Sequence, residues 1–560
     1  SDLLRADMLQ RARLVLTQAL FLTRKYAVAV QNPPYMGGGN MGALLSEYVA
    51  KNYKEYKSDL FSAFVSRAFA LVEPQGLVGV MSPNVWMYIS AHENLRRRLL
   101  QDGSLVCLVE LPLGGFRGAT VQVCAFVFAP SPNAAKSATF VSLIDEPLAE
   151  VVSGAALSQA RSADADNVFT LYPSALTAIP SAPVAYWLPD EAIRAYVEFE
   201  SLGDHSYGQP GLQTSDNARF IRLWSEVSIA RINLGAESSE AALESGATWF
   251  PLVKGGEFRK WFGNLENVVD WESDGARIKQ SINEKYPYLN GNIDYVVKDR
   301  GYFFRPSLTY NKITSGRFTA RFAPMGTIFD VAGSAVFPHD EPLLALAFLG
   351  STTGEFFVRA QNPTLNVQSG DLARLPYPAK LLKARSALLL PAVSEAIELS
   401  ERDWDSVETA WGFQTLRVLR IRSNSEPLAA HVATTLEAHS HDRARLARLE
   451  TEINTHVADA YGLSGAVPLD VQADEVTLRD FDVHSSVIDL ISFAVGCMFG
   501  RYSVDEPGLI LADQGATLQD YLAKVPQPTF APDTDNVLPI VDGDWFEDDI
   551  VARFRQFLRA

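Results

Sequence analysis

The sequence predicts an α/β unit at its amino-terminal end, then a mixed α+β module, then a mainly helical carboxyl-terminal region. Three observations carry this. Short apolar runs alternate with helical periodicity from residue 3 to residue 128, which suits a largely parallel sheet. Residues 201–378 are rich in glycine, aromatics and short apolar pieces. Beyond Pro376-Tyr-Pro378 the apolar residues recur at helical spacing. The expected boundaries are 1–150, a connector over 151–200, 201–378 and 379–560.

In order, residues 3–24 read as a helix, with Leu9, Ala12, Leu16, Ala19 and Leu20 on one face. Tyr26–Gln31 is a short apolar strand that runs into Asn32-Pro33-Pro34-Tyr35, where two prolines stop regular structure. A glycine-rich loop follows, then helical patterning through Leu44–Tyr53. Residues 58–73 form a helix capped by Ser58 or Asp59. Leu77–Met81, Leu105–Leu111 and Val121–Phe128 are apolar strands, and residues 90–101 a basic amphipathic helix. Late in the chain Leu446, Leu449, Ile453, Val457 and Tyr461 make one apolar stripe, with Gly462 as its stop.

Composition bounds the function. The chain has 560 residues, 47% hydrophobic and 21% charged, with a net charge of −17. That is ample for packed cores and excludes a disordered chain. Three cysteines argue against a disulfide scaffold and suit a reducing, cytoplasmic setting. No apolar run approaches a membrane-spanning length, so no membrane partner is expected. The acidic balance means that nucleic-acid binding must rest on local charge. No metal site is expected, because the His439–His441 pair with Asp442 has no third ligand at fixed spacing and reads better as a surface helix.

The sharpest chemical signal is Asn32-Pro33-Pro34-Tyr35 at the carboxyl end of a strand, the edge where open α/β sheets bind ligands. An exocyclic amine on a nucleobase is a poor nucleophile, since its lone pair is delocalised into the ring. The Asn32 side-chain oxygen and the Pro33 carbonyl can accept its two hydrogens and free the lone pair. Tyr35 offers a stacking face, and a base in a duplex reaches such a loop only when flipped out.

Asn32–Tyr35 matches the catalytic motif of amino-group DNA methyltransferases. Pro34-Tyr-Met-Gly-Gly, Lys57-Ser-Asp-Leu-Phe61, Gly79-Val-Met-Ser-Pro-Asn-Val-Trp86 and Gly118-Ala-Thr-Val-Gln-Val-Cys-Ala-Phe126 extend the match. So do Lys312-Ile-Thr-Ser-Gly-Arg-Phe318, Asn362-Pro-Thr-Leu-Asn366, Gly496-Cys-Met-Phe-Gly-Arg-Tyr502, Pro532-Asp-Thr-Asp-Asn536 and Phe546-Glu-Asp-Asp549. The series resembles the large adenine methyltransferases of BREX phage-defence systems, the PglX family, over nearly the whole chain. The resemblance implies a partial Rossmann-like methyltransferase domain over 1–150, an α+β target-recognition domain over 201–378 and a helical domain over 379–560. It implies S-adenosylmethionine as methyl donor and a flipped adenine as acceptor. Asn32, Pro33, Pro34 and Tyr35 would then hold the adenine, Asp59 and Phe61 would lie near the donor, and Phe116 would stack with Tyr35 on the base. Phe61 and Phe116 serve equally well as core residues. Only 31 residues precede Asn32, none of them glycine, so the donor-binding turn is expected on an amino-terminal half outside this chain.

Residues 254–321 hold 12 Lys/Arg against 8 Asp/Glu inside an acidic chain. Lys254, Arg259, Lys260, Arg300, Arg305, Lys312, Arg317 and Arg321 alternate with aromatics, which suits phosphate contacts and base readout of double-stranded DNA. The other reading is a charged face over an aromatic core. Expected partners beyond DNA are other phage-defence proteins and an acidic, phage-encoded DNA-mimic inhibitor. The alternative function is a non-catalytic DNA-recognition subunit of a defence or restriction-modification complex.

Overall fold

In the computed structural model, Tyr26–Gln31 forms β1, the strand that delivers Asn32. The structure describes residues 2–101, 105–116, 120–131, 136–160, 165–298, 300–313, 317–420, 427–513, 515–543 and 545–560. Gly118 and Ala119, and Thr314 to Gly316, which belong to two of the matched motifs, lie outside the described residues. The chain divides into two units, one of residues 1–200 with 359–363, the other of 201–358 with 364–560.

The first unit holds a six-stranded sheet: β1, β2 (Val72–Pro83), β3 (Leu105–Glu110), β4 (Val123–Phe128), β5 (Ala138–Ser142) and β6 (Val168–Leu171), in the order β1-β2-β4-β3-β5-β6. β1 runs parallel to β2, and β3 to β5; the other three pairings are antiparallel. The expected largely parallel sheet is therefore a mixed one. The reason is the β3–β4 connection, which has no helix among its described residues, so β4 returns as a reversed neighbour and inserts between β2 and β3.

Three helices flank the strands early in the chain: α1 (Asp2–Thr23), α2 (Ala43–Asn52) and α3 (Leu60–Leu71); α4 (Glu93–Gln101) follows β2. α3 starts because Asp59, in extended conformation, accepts the Phe61 amide, and it buries Phe61, Val65 and Ala68. β2 carries a bulge opposite Tyr26–Val28, and Gly76 is required there, since a Cβ would stand 2.8 Å from the Ala27 carbonyl. Trp86, Phe126, Phe128, Phe140 and Leu108 are fully enclosed, each contributing roughly 1.5–3 kcal/mol of apolar burial. Arg96 of α4 is also fully buried. It donates to the carbonyls of Trp86, Ile89 and Ser181 at 2.6–3.1 Å, so one of the basic residues on that helix is a structural clamp.

The second unit holds two four-stranded sheets. Its strands are β7 (Ser206–Gln209), β8 (Ile221–Leu223), β9 (Trp249–Val253), β10 (Asn267–Asp270), β11 (Ser307–Tyr310), β12 (Ala320–Ala323), β13 (Ile328–Phe329) and β14 (Ala335–Pro338). One sheet has the order β13-β9-β10-β8, the other β12-β11-β14-β7. Phe250, Trp271, Phe303, Phe304, Phe329 and Phe337 share one core. Helix Leu428–Tyr461 turns its predicted stripe (Leu446, Leu449, Ile453, Val457, Tyr461) inward, and Gly462 ends it in the left-handed conformation at φ +70°. Helix Ser386–Trp404 is tied to it by Arg445, which forks onto Glu395 at 2.5–2.7 Å. Phe413, Phe493, Met498, Tyr502, Phe530 and Phe557 form a further core toward the carboxyl end.

Candidate functional site

β1 ends at Gln31, and Asn32–Met36 has no regular structure, as two consecutive prolines require. Pro33 is buried while Asn32, Pro34 and Tyr35 are exposed. The Tyr35 hydroxyl donates to the Asn32 Oδ1 atom at 3.0 Å. Partial burial, and then the neighbouring Cys124 thiol, hold the Tyr35 hydroxyl above its ordinary pKa. The turn therefore presents an amide and an aromatic ring at one end of the sheet.

Asp59 fixes the far side of that turn. Its Oδ1 accepts the amides of Met36 at 3.1 Å and Phe61 at 3.2 Å, while Leu60 donates to the Met36 carbonyl at 3.0 Å. Asp59 thus joins the Asn32–Tyr35 exit to the start of α3. Phe61, expected at the cofactor, has no exposed surface and packs on His92, with centroids 5.1 Å apart. Of its two readings, the core one describes this structure, because α3 turns that face inward. Phe116 is 36% exposed, on the segment after β3.

The same sheet end holds a group not singled out in the sequence. Glu110, the last residue of β3, is 1% exposed. It accepts from Asn84 Nδ2 at 2.8 Å and Tyr186 Oη at 2.9 Å, with Tyr88 Oη at 3.4 Å. Burial raises its pKa, and these three donors oppose the rise. The legible signal was a lone carboxylate closing an apolar strand, Leu-Val-Cys-Leu-Val-Glu. His92 is likewise buried, its Nδ1 2.9 Å from Ser62 Oγ, and burial and then Arg96 push it down to about 4.

The eight basic residues expected at DNA divide. Arg259, Lys260 and Arg321 are buried and are corrected to structural roles. Arg259 pairs with Asp403 at 3.1 Å, and Lys260 with Glu450 at 2.6 Å. Arg321 has no exposed surface; it donates to Asn311 Oδ1 at 2.8 Å and the Arg259 carbonyl at 3.3 Å, and desolvation lowers its pKa to about 10. Ala320, Arg321 and Ala323 of β12 are all buried, so both faces of that strand are covered and its arginine is enclosed. The interleaved Phe303, Phe304, Tyr310 and Phe318 are buried too, so they are core and not a stacking surface. Arg305 and Arg317 are exposed, and Lys254, Arg300 and Lys312 half-buried. Arg300 is shared by Asp274 and Asp294. Arg317 lies 5.1 Å over the Phe258 ring and lines an open cleft of about 360 Å³ with Asn311 and Thr319. His439 is buried, with its Nδ1 2.7 Å from Arg417 Nη1. Asp533, Asp535 and Asp548 bring one carboxylate oxygen each within 4.8 Å of one another, a grouping not legible in the sequence. Among the described residues no single helix is long and apolar enough to cross a membrane.

Residues 6–116 match the family model of the Eco57I restriction-modification methylases. The chain is 30% identical to the adenine-specific methyltransferase PglX of Lacticaseibacillus casei (strain Zhang) over 549 residues, covering 96% of this chain and 44% of that protein. It is 28% identical to the adenine-specific methyltransferase BrxX of Escherichia coli O9:H4 (strain HS), covering 97% of this chain and 44% of that protein. Among solved structures, it is similar to the Type IIL restriction-modification enzyme MmeI in complex with DNA, with a TM-score of 0.48 and 13% identity over 78% of this chain and 55% of that one. The resemblance carried by the motifs thus extends along nearly the whole sequence, and the chain spans less than half the length of the curated relatives it matches.

Proposed function

From its similarity to PglX and BrxX, we propose that this chain carries the base-binding half of a site-specific DNA adenine-N6 methyltransferase of a BREX-like phage-defence system. The observation that carries the reading is the exposed Asn32–Tyr35 turn at the sheet end. Asn32 Oδ1 and the Pro33 carbonyl hold the amino hydrogens of an adenine flipped from the duplex, and Tyr35 supplies a stacking face. Pro34 stiffens the turn and Phe116 is the candidate second stacking partner. Removing both amino hydrogens from the ring plane leaves the nitrogen lone pair free to accept a methyl group.

S-adenosylmethionine is the donor this reading requires, and the residues present do not make its full site. None of residues 1–31 is glycine, Phe61 is enclosed, and Asp59 Oδ1 already holds two backbone amides. β1 pairs only with β2 among the described residues, and Val28 and Val30 on it are 60% and 81% exposed. Such an open apolar strand edge suits further strands that would bring the donor-binding turn.

Lys254, Arg300, Arg305, Lys312 and Arg317 are the proposed DNA contacts, with Arg317 at its cleft as the foremost. A basic DNA surface of this kind also fits an acidic DNA mimic, and other defence proteins fit as partners in a cytoplasmic complex.

Asn32→Ala in the complete enzyme is expected to abolish N6-methyladenine while leaving duplex binding nearly intact. Undiminished methylation by that variant overturns the catalytic reading and favours a DNA-recognition subunit.

A further inference from the structure

Three arginines converge on a cleft of about 240 Å³ in the helical part of the second unit. Arg402 comes from helix Ser386–Trp404, Arg417 and Arg420 from the turn Arg417–Arg420, and His439 lines the same cleft from helix Leu428–Tyr461.

The charges do not balance. Arg402 pairs with Asp442 at 2.8 Å. Arg417 pairs with Asp403, but Asp403 is 4% exposed and already held from its other side by Arg259 at 3.1 Å and by the Arg479 amide. Arg420 forms no ion pair within 4 Å among the described residues; Arg417 and Arg402 repel it, and Asp405 attracts it. Three guanidinium groups thus line the cleft with two carboxylates, one of them shared with a cation outside it, while Asp405 acts on Arg420 without lining the cleft.

His439 contacts one of these arginines. A guanidinium can only donate, so the 2.7 Å contact from Arg417 Nη1 makes His439 Nδ1 an acceptor and places the ring proton on Nε2. His439 is 7% exposed, and its Nε2 has no hydrogen-bond partner. Native interiors rarely leave such a donor unsatisfied. Fork-shaped guanidinium donors make the donor set that tetrahedral oxyanions take.

We infer that the cleft among Arg402, Arg417, Arg420 and His439 binds a phosphate group. A backbone phosphate of DNA and free inorganic phosphate share this chemistry. The site stands apart from the methylation reading: an active Asn32→Ala enzyme leaves it intact.

The test compares the full chain with Arg420→Gln, at an exposed position, and with Arg402→Gln as a second variant. Thermal unfolding is followed in inorganic phosphate and in chloride at equal ionic strength, and duplex binding is titrated over salt. If free phosphate is the ligand, it raises the midpoint of the unchanged chain above its chloride value and the gain is lost in both variants. If a DNA phosphate is the ligand, the slope of log affinity against log salt shrinks by about 0.9 in each variant. Equal phosphate effects in all three proteins together with unchanged slopes overturn the inference.

Discussion

The Tyr35 hydroxyl donates to the side-chain oxygen of Asn32 at 3.0 Å, so the aromatic ring and the amide of the turn are locked to each other. This bond sets which way the Asn32 amide faces before any base arrives. Tyr35→Phe keeps the ring and removes the lock. A neutral hydrogen bond contributes ~0.5–1.5 kcal/mol, so methylation by the complete enzyme is expected to fall roughly 2- to 10-fold. Tyr35→Ala, which also removes the stacking face, is expected to fall further, measured as single-turnover rates on one duplex.

Asp59 serves the turn and α3 at once, through one oxygen that accepts two amides. Asp59→Ala is expected to destabilise the first unit by about 1–2 kcal/mol, an N-cap loss plus a lost loop anchor. Asp59→Asn retains an acceptor oxygen and should recover most of it. Denaturant midpoints of the two variants check this.

Arg317 and Arg321 sit four residues apart and are expected to behave oppositely. Arg317→Ala weakens duplex binding and flattens its salt dependence, since its guanidinium is exposed beside a cleft. Arg321→Ala leaves the salt slope unchanged and lowers stability, because it empties a buried site and strips Asn311 of its donor. Lys260→Met breaks the buried pair with Glu450 and is expected to cost about 3 kcal/mol. Binding isotherms and unfolding curves separate the two effects.

His92 makes the first unit sensitive to acid. Its folded-state pKa is pushed down to about 4 by burial and Arg96, against about 6.5 for a free imidazole. The unfolded chain therefore takes up the proton first as pH falls. Stability is full above about pH 6.5 and drains away toward pH 4, with a loss of about 2 kcal/mol between pH 7 and pH 5. His92→Asn should remove that slope, as seen in unfolding free energies measured across the range.

Several elements were legible because each is local. The apolar run of β1, the two prolines after it, the Asp59 cap and the stripe on Leu428–Tyr461 are all dictated by neighbours in sequence. The mixed pairing of the first sheet was not, since nothing in Val123–Phe128 says which strands it will part. The Glu110 cluster was hidden for the same reason: Asn84, Tyr88 and Tyr186 reach it from three separate segments.

By itself the sequence determined the chemistry on offer, an Asn-Pro-Pro-Tyr turn at a strand end and a relationship readable along most of the chain. Only the tertiary structure decided which charges meet solvent. Arg321 and Arg317 are the same residue type in the same basic stretch, yet one is enclosed by β12 and the other lies open over Phe258. Side-chain direction follows strand register and the packing of distant elements, and a linear count of lysines and arginines carries neither.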